Sequence, residues 1–243
     1  GEIPQCKVEL LQYFDAGGLL PVQLTNKKIP LSLSVIGRII NSFNRNDDVD
    51  RDELTKLANI IKTKEQEYDE KEKRAIKEGN AFHEKCQRIE KMKVLSSPDS
   101  RVEMKMVHVD RESLATSLTT ALVDASVDEC AAYEFSLDSR EHIKKATERG
   151  LTHRYVKHSS EHTCYLITTR ELGFFLNPRE GRSKITWMKV DGKIVMDVSD
   201  TKDVADEDPS KEGNVLVSAH AVWIFERLDP VGEIPQTAVT FTT

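Results

Sequence analysis

Between Leu31 and Phe43 apolar residues fall at Leu33, Ile36, Ile40 and Phe43, with Val35 and Ile39 widening the stripe. That spacing of three and four predicts a helix with a large apolar surface to cover, and Pro30 suits its first turn. Upstream, residues 6–14 read as a strand. Asp15-Ala16-Gly17-Gly18 reads as a turn, because paired glycines accept positive φ without steric cost. The polar run from Asn44 to Asp50 breaks the pattern and predicts a linker. Counted as a calcium loop from Asp48, it places Glu53 where glycine is needed and Asn59 where glutamate is needed, so its acids read as helix caps.

Residues 52–92 predict a long charged helix or a pair of helices. Leu54, Ile61, Tyr68, Ala75, Phe82 and Ile89 recur every seven residues. The companion row of a coiled coil is mostly charged (Lys64, Lys71, Glu78, Lys85), so the stripe is expected to lie on a neighbouring domain rather than to form a dimer. Gly79 is the expected break.

After Pro98 the period changes to two. Strands are predicted at 102–109, 115–124, 152–158, 162–170, 183–190, 193–199, 215–226 and 237–243. Asp191-Gly192 between two of them is a strong hairpin signal. Ser126-Val127-Asp128-Glu129 has the form of a capping box and predicts a helix from about 127 to 149. Residues 200–213 carry little that is apolar and read as a solvated hairpin loop.

One segment recurs. Gly1-Glu2-Ile3-Pro4-Gln5 returns as Gly232-Glu233-Ile234-Pro235-Gln236, an offset of 231 residues, and a strand-like segment follows each copy, with Val8 opposite Val239. This predicts a repeating module of about the chain's own length, cut out of register.

Composition narrows the function. A net charge of -6, with nothing that concentrates basic charge into a phosphate-tracking stripe, argues against a nucleic-acid binder, and no apolar run approaches the roughly 20 residues of a membrane-spanning helix. The cysteines Cys6, Cys86, Cys130 and Cys164 form no CxxC pair and read as reduced thiols of a cytoplasmic protein. His158, His162 and Cys164 lie close in sequence, and His83 precedes Cys86 by three, but neither group has zinc-ligand spacing. No phosphate loop, dinucleotide fingerprint or nucleophile elbow is present. The expectation is a protein that is not an enzyme and needs no metal or cofactor.

The stretch Tyr13-Phe14-Asp15-Ala16-Gly17-Gly18-Leu19-Leu20-Pro21, with Leu24, Asn26, Ile29-Pro30 and the apolar helix, resembles the last strand, turn and C-terminal helix of the steroidogenic acute regulatory protein-related lipid-transfer (START) domain. Residues 102–243 resemble the body of the same domain through Val123-Asp124-Ala125-Ser126, Asn177-Pro178-Arg179-Glu180 ahead of a strand with Trp187, and Val222-Trp223-Ile224-Phe225-Glu226. The resemblance implies an α+β helix-grip fold: a curved antiparallel sheet packed on a long helix, here preceded by a long charged helical linker. Residues 1–45 would be the strand and helix of a preceding START-like repeat, 46–100 the linker, and 101–243 a body lacking its own C-terminal helix. The helix at 29–43 would either belong to the preceding repeat or dock on 101–243 as in a circular permutant.

The same resemblance implies a lipid-binding or lipid-transfer module that holds a lipid or sterol-like ligand, meets a membrane surface transiently and is peripheral to membranes. The alternatives are a non-transporting scaffold or sensor and, more remotely, a helix-grip enzyme for hydrophobic substrates. Leu33, Ile36 and Ile40 would face the sheet. By alternation Tyr165, Ile167, Met188, Met196, Val222 and Ile224 are candidates to line a cavity or to fill a solid core. A slip of one residue would reverse that assignment. Arg170 and Arg154 are candidates to hold a polar headgroup. The turn Gly17–Pro21 is a candidate gate.

Overall fold

The long charged helix is interrupted from Lys64 to Asp69, giving two helices of equal length, α1 (Asn46–Thr63) and α2 (Glu70–Gln87). The break falls at Asp69 and not at Gly79. The Asp69 carboxylate accepts the amides of Lys71 and Glu72, and the Glu72 carboxylate returns to the Asp69 amide at 3.0 Å. This reciprocal cap starts α2 cleanly. Gly79 stays inside α2, because its lack of a side chain serves packing rather than termination.

In this computed structural model the described residues are 45–97, 99–108, 115–173 and 175–243. The expected strand at 6–14, the helix at 29–43, the Gly17–Pro21 turn and the first copy of the repeat lie outside them. The chain divides into two compact units, Gly1–Asp52 and Glu53–Thr243. The second contains α1 from Glu53 onward, α2 and every described strand.

The strands are β1 (Lys93–Leu95), β2 (Val102–His108), β3 (Ala115–Val123), β4 (Leu151–His158), β5 (Thr163–Arg170), β6 (Arg179–Val190), β7 (Lys193–Asp200), β8 (Val215–Val217), β9 (Ala221–Val231) and β10 (Ile234–Thr242). Between β3 and β4 lie α3 (Val127–Phe135) and α4 (Arg140–Glu148). The sheet runs β1-β2-β3-β10-β9-β7-β6-β5-β4, antiparallel throughout, with β8 added parallel to the start of β6. With its helices it makes the expected α+β helix-grip architecture.

Two sequence expectations are corrected. The helix expected over 127–149 is two helices: Ser126 caps α3 as foreseen, but Ser139 caps a second helix through the His142 amide. The apolar run 215–226 is likewise two strands. Ser218 and the Ala219 amide bind the Asp200 carboxylate, and His220 binds Asp197 at 2.7 Å, so the chain steps from β8 into β9. The Asp191-Gly192 turn holds, both residues taking positive φ (50° and 79°) as a two-residue hairpin requires.

Because side chains alternate, the sheet has two differently occupied faces. On one, α2 sets Ile76 and Phe82 against Met188, Val195, Val222 and Ile224. On the other, Ala131, Ala132 and Phe135 of α3 and Ala58 and Ile61 of α1 pack with Trp187, Met196 and Phe225. The regular stripe of the long helix is thereby divided: Leu54 and Ile61 serve the α3 face, Phe82 the α2 face. No described helix is long and apolar enough to cross a membrane.

Candidate functional site

The α2 face is closed by polar anchors as well as by packing. Glu72 is buried and accepts the Thr163 hydroxyl at 2.8 Å, with His162 Nε2 at 3.2 Å. His83 meets the Thr242 hydroxyl at 2.8 Å. Farther along, the 201–214 loop covers the same face: Tyr165 donates to Asp203, Tyr155 to Glu207, and His153 pairs with Asp208. Glu180 and Arg182 form a buried pair at 2.6 Å beneath it, joined by Ser210, Asn214 and the Asp208 carbonyl, with Arg182 Nη1 left without a partner. The loop read as solvated is thus pinned, and Val204 within it is buried.

The α3 face is built differently. Its floor is aromatic. Trp187 and Phe225 are fully buried, while Trp223 is only half-buried, with the ring of Phe241 at 4.4 Å and that of Phe225 at 6.3 Å. Trp187 is fixed by donation to the Glu161 carbonyl at 3.1 Å. Val198, Leu166 and Val239 continue the apolar surface as half-buried residues.

Polar chemistry gathers where α3 meets β4. Arg154 donates through Nη2 to the Leu137 carbonyl, while its Nε is buried without a partner. Burial pulls the guanidinium pKa down from its ordinary value, and nearby Asp138 opposes that. His158 lies 3.5 Å from Asp138. Burial pushes the Glu134 carboxyl up to about 7, against the pull of Lys145 and Arg149. The thiols of Cys164 and Cys130, pushed up by burial to about 12 and about 11, stay protonated at neutral pH and are poor nucleophiles. Arg154 thus offers an unused donor to an acceptor oxygen on the same face as the apolar cluster, near Cys164 and four strands from β9.

The structure sorts the candidates read from sequence. Met188, Val222 and Ile224 come together, but under α2. Tyr165 and Ile167 share the α2 side, since they alternate with Thr163, whose hydroxyl reaches Glu72. Met196 alone joins the α3 face, packed with Trp187 and Phe225. Arg170 is exposed at the end of β5, opposite Arg179. Leu33, Ile36 and Ile40 lie outside the described residues. Trp223, Phe225, Phe241 and Glu134 were missed; the two on β9 are the immediate neighbours of Val222 and Ile224, on the opposite face.

Three clefts lie away from this floor. One of about 380 Å³ sits at the β1–β3 edge between Val94, Arg101 and Leu122. Another of about 320 Å³ separates α2 from Lys184, Asp200 and Lys202. A third of about 280 Å³ runs beside β8, between Arg182 and Leu216.

Comparison with solved structures settles the architecture. Human STARD10 superposes with a TM-score of 0.51 at 10% identity, over 75% of this chain and 70% of that one. The fold is the START fold. The human StAR-related lipid transfer protein 5 is similar at a TM-score of 0.47 and 15% identity, over 70% of this chain and 83% of that one. A STAR-related lipid transfer protein from Xanthomonas axonopodis is similar at 0.46 and 12%, over 62% and 80%. No protein-family model matches the sequence, and no curated protein does. Within the START fold of this chain, the α3 face and Arg154 are the candidate site.

Proposed function

We propose that the chain is a lipid-binding module whose ligand lies along the α3 face, its apolar part over Trp223 and Phe241 and its polar end at Arg154. One observation carries this reading: Arg154, on the same face of the sheet as the half-buried Trp223 and Phe241 but four strands from β9, has a buried Nε without a partner. Each buried donor left unpaired costs free energy, and a ligand oxygen would remove that cost. The likeness to STARD10 supports the fold on which the reading rests. Transfer requires contact with a membrane. Leu172, the fully exposed Phe175 and Leu176 on the β5–β6 loop supply an apolar tip for it, flanked by Arg170 and Arg179. A second reading, a non-transporting scaffold or sensor, is favoured by the dense packing of Trp187, Met196 and Phe225 beneath α3.

Native mass spectrometry after incubation with mixed lipid vesicles separates the two. A lipid module gives a stoichiometric extra mass that disappears on denaturation, with occupancy falling about tenfold in Arg154→Leu, the loss of one charged hydrogen bond. A bare mass under those conditions removes the lipid reading and leaves the scaffold.

A further inference from the structure

Beyond Phe225, β9 no longer pairs with β7, and before Thr237, β10 does not pair with β3. The two strands run on as a free ribbon in which every residue from Glu226 to Pro235 is exposed. At its end Val231 and Ile234 stand directly opposite each other, 68% and 52% exposed, across a two-residue turn that Gly232 enters at φ 63°. Leu228 lies below them, opposite Gln236.

This tip is the segment that the sequence repeats. All five residues of Gly232–Gln236 match Gly1–Gln5, whereas the seven positions that follow keep only Val8 and Val239 in common. Thr237 and Thr242 are fully buried, yet their counterparts are Cys6 and Leu11. Packing constrains buried positions and leaves loop tips free to vary, and here the order is reversed. The positive φ accounts for the glycine; Glu233, Ile234 and Pro235 are exposed, so burial in a core does not require them. We infer that the β9–β10 tip is a docking element for a partner protein, kept the same in both copies because each meets the same kind of surface.

The chemistry of the tip describes that surface. Pro230 and Pro235 put a residue without an N–H on each strand, which opposes strand addition along either edge. Glu233 at the turn opposes insertion into a bilayer, where a carboxylate is costly. Arg227 is the only base from Glu226 to Gln236; Glu226 is held by Lys193 at 3.1 Å, so Asp229 and Glu233 set the charge of the tip. The partner is therefore a folded protein with an apolar pocket for the Val231–Ile234 pair and a basic rim facing Asp229 and Glu233.

The test places a photo-crosslinking residue at Val231 of the full chain, identifies the adduct formed in cell extract, and titrates the purified captured protein against wild type, Ile234→Asp and the double variant Asp229→Lys, Glu233→Lys. Affinity is expected to fall at least about tenfold in each variant, as for a central anchor. A cyclised Leu228–Gln236 peptide is expected to compete. Equal affinity for all three proteins, no adduct, or an adduct that is phospholipid with vesicle binding lost in Ile234→Asp overturns the inference. Lipid occupancy of Ile234→Asp stays at the wild-type level, so this outcome is independent of the lipid reading, and an unchanged Tm excludes misfolding.

Discussion

Gly79 on α2 rests on the carboxylate of Asp197 on β7: a Cβ added to the glycine would lie 2.6 Å from Asp197 Oδ1 and 3.2 Å from a methyl of Val222. Asp197 is buried and tied to His220 at 2.7 Å, so it has little freedom to withdraw. Gly79→Ala gains about 1 kcal/mol in helix propensity but loses about 1–3 kcal/mol to overpacking. The expected net result is destabilisation, read as a lower urea midpoint at unchanged slope. A midpoint at or above wild type would mean that α2 does not approach β7 this closely.

Glu72 joins two functions in one side chain, capping α2 at the Asp69 amide and accepting from Thr163 across to the sheet. Glu72→Ala removes both and leaves the buried Thr163 hydroxyl with Thr186, at 3.2 Å. The expected loss is about 2–3 kcal/mol, with Glu72→Gln intermediate because an amide oxygen still accepts. Chemical denaturation of both variants checks the order.

Burial raises the Glu134 carboxyl to about 7. The folded state therefore binds this proton more tightly than the unfolded chain does. The associated stability is full below the ordinary carboxylate range and is lost as pH rises through about 7. Glu134→Gln keeps the neutral shape at every pH. It should match wild type near pH 4 and exceed it at pH 8 by about 1–2 kcal/mol, a figure reduced from the full shift because the side chain is not wholly enclosed. Thermal melts at the two pH values measure it.

Two histidines beside α2 should titrate on opposite sides of the ordinary imidazole value. The Asp197 hydrogen bond raises His220, whereas burial, with Lys193 nearby, lowers His83. The His220 contribution to stability is present below the ordinary value and fades as pH rises through its raised pKa. The His83 contribution is present above the ordinary value and fades as pH falls through its lowered one. Imidazole proton shifts followed by NMR from pH 4 to 9 would show both, and coincident titrations would contradict the burial of His83.

Local signals of fixed geometry were readable in the sequence. Asp191-Gly192 and the Ser126–Glu129 box carry their own conformational reasons and fell where they were read. The break at Asp69 was equally local, an Asp-x-x-Glu cap, but the unbroken seven-residue stripe obscured it: the stripe continues in sequence while its two halves cover different faces of the sheet. The site was harder to read. Where both faces of a strand are buried, Val222 and Trp223 look equally internal, and only the partner helix tells them apart. Arg170 is exposed, whereas Arg154 is half-buried and held by the Leu137 carbonyl, seventeen residues away and beyond any local pattern.

The position of β10 sets an order of events for the growing chain. Among the described strands, β10 alone joins the arm β3-β2-β1 to the arm β9-β7-β6-β5-β4, and it is the last of these in sequence. A ribosome releases residues 93–123 more than a hundred residues before the strand that connects them to the rest. Until then β3 has an open edge, exposed to any passing strand for the duration of synthesis. The sheet therefore closes from its middle and late, and a chain stopped before Ile234 leaves two sets of strands, each with a raw edge, that no longer form one sheet.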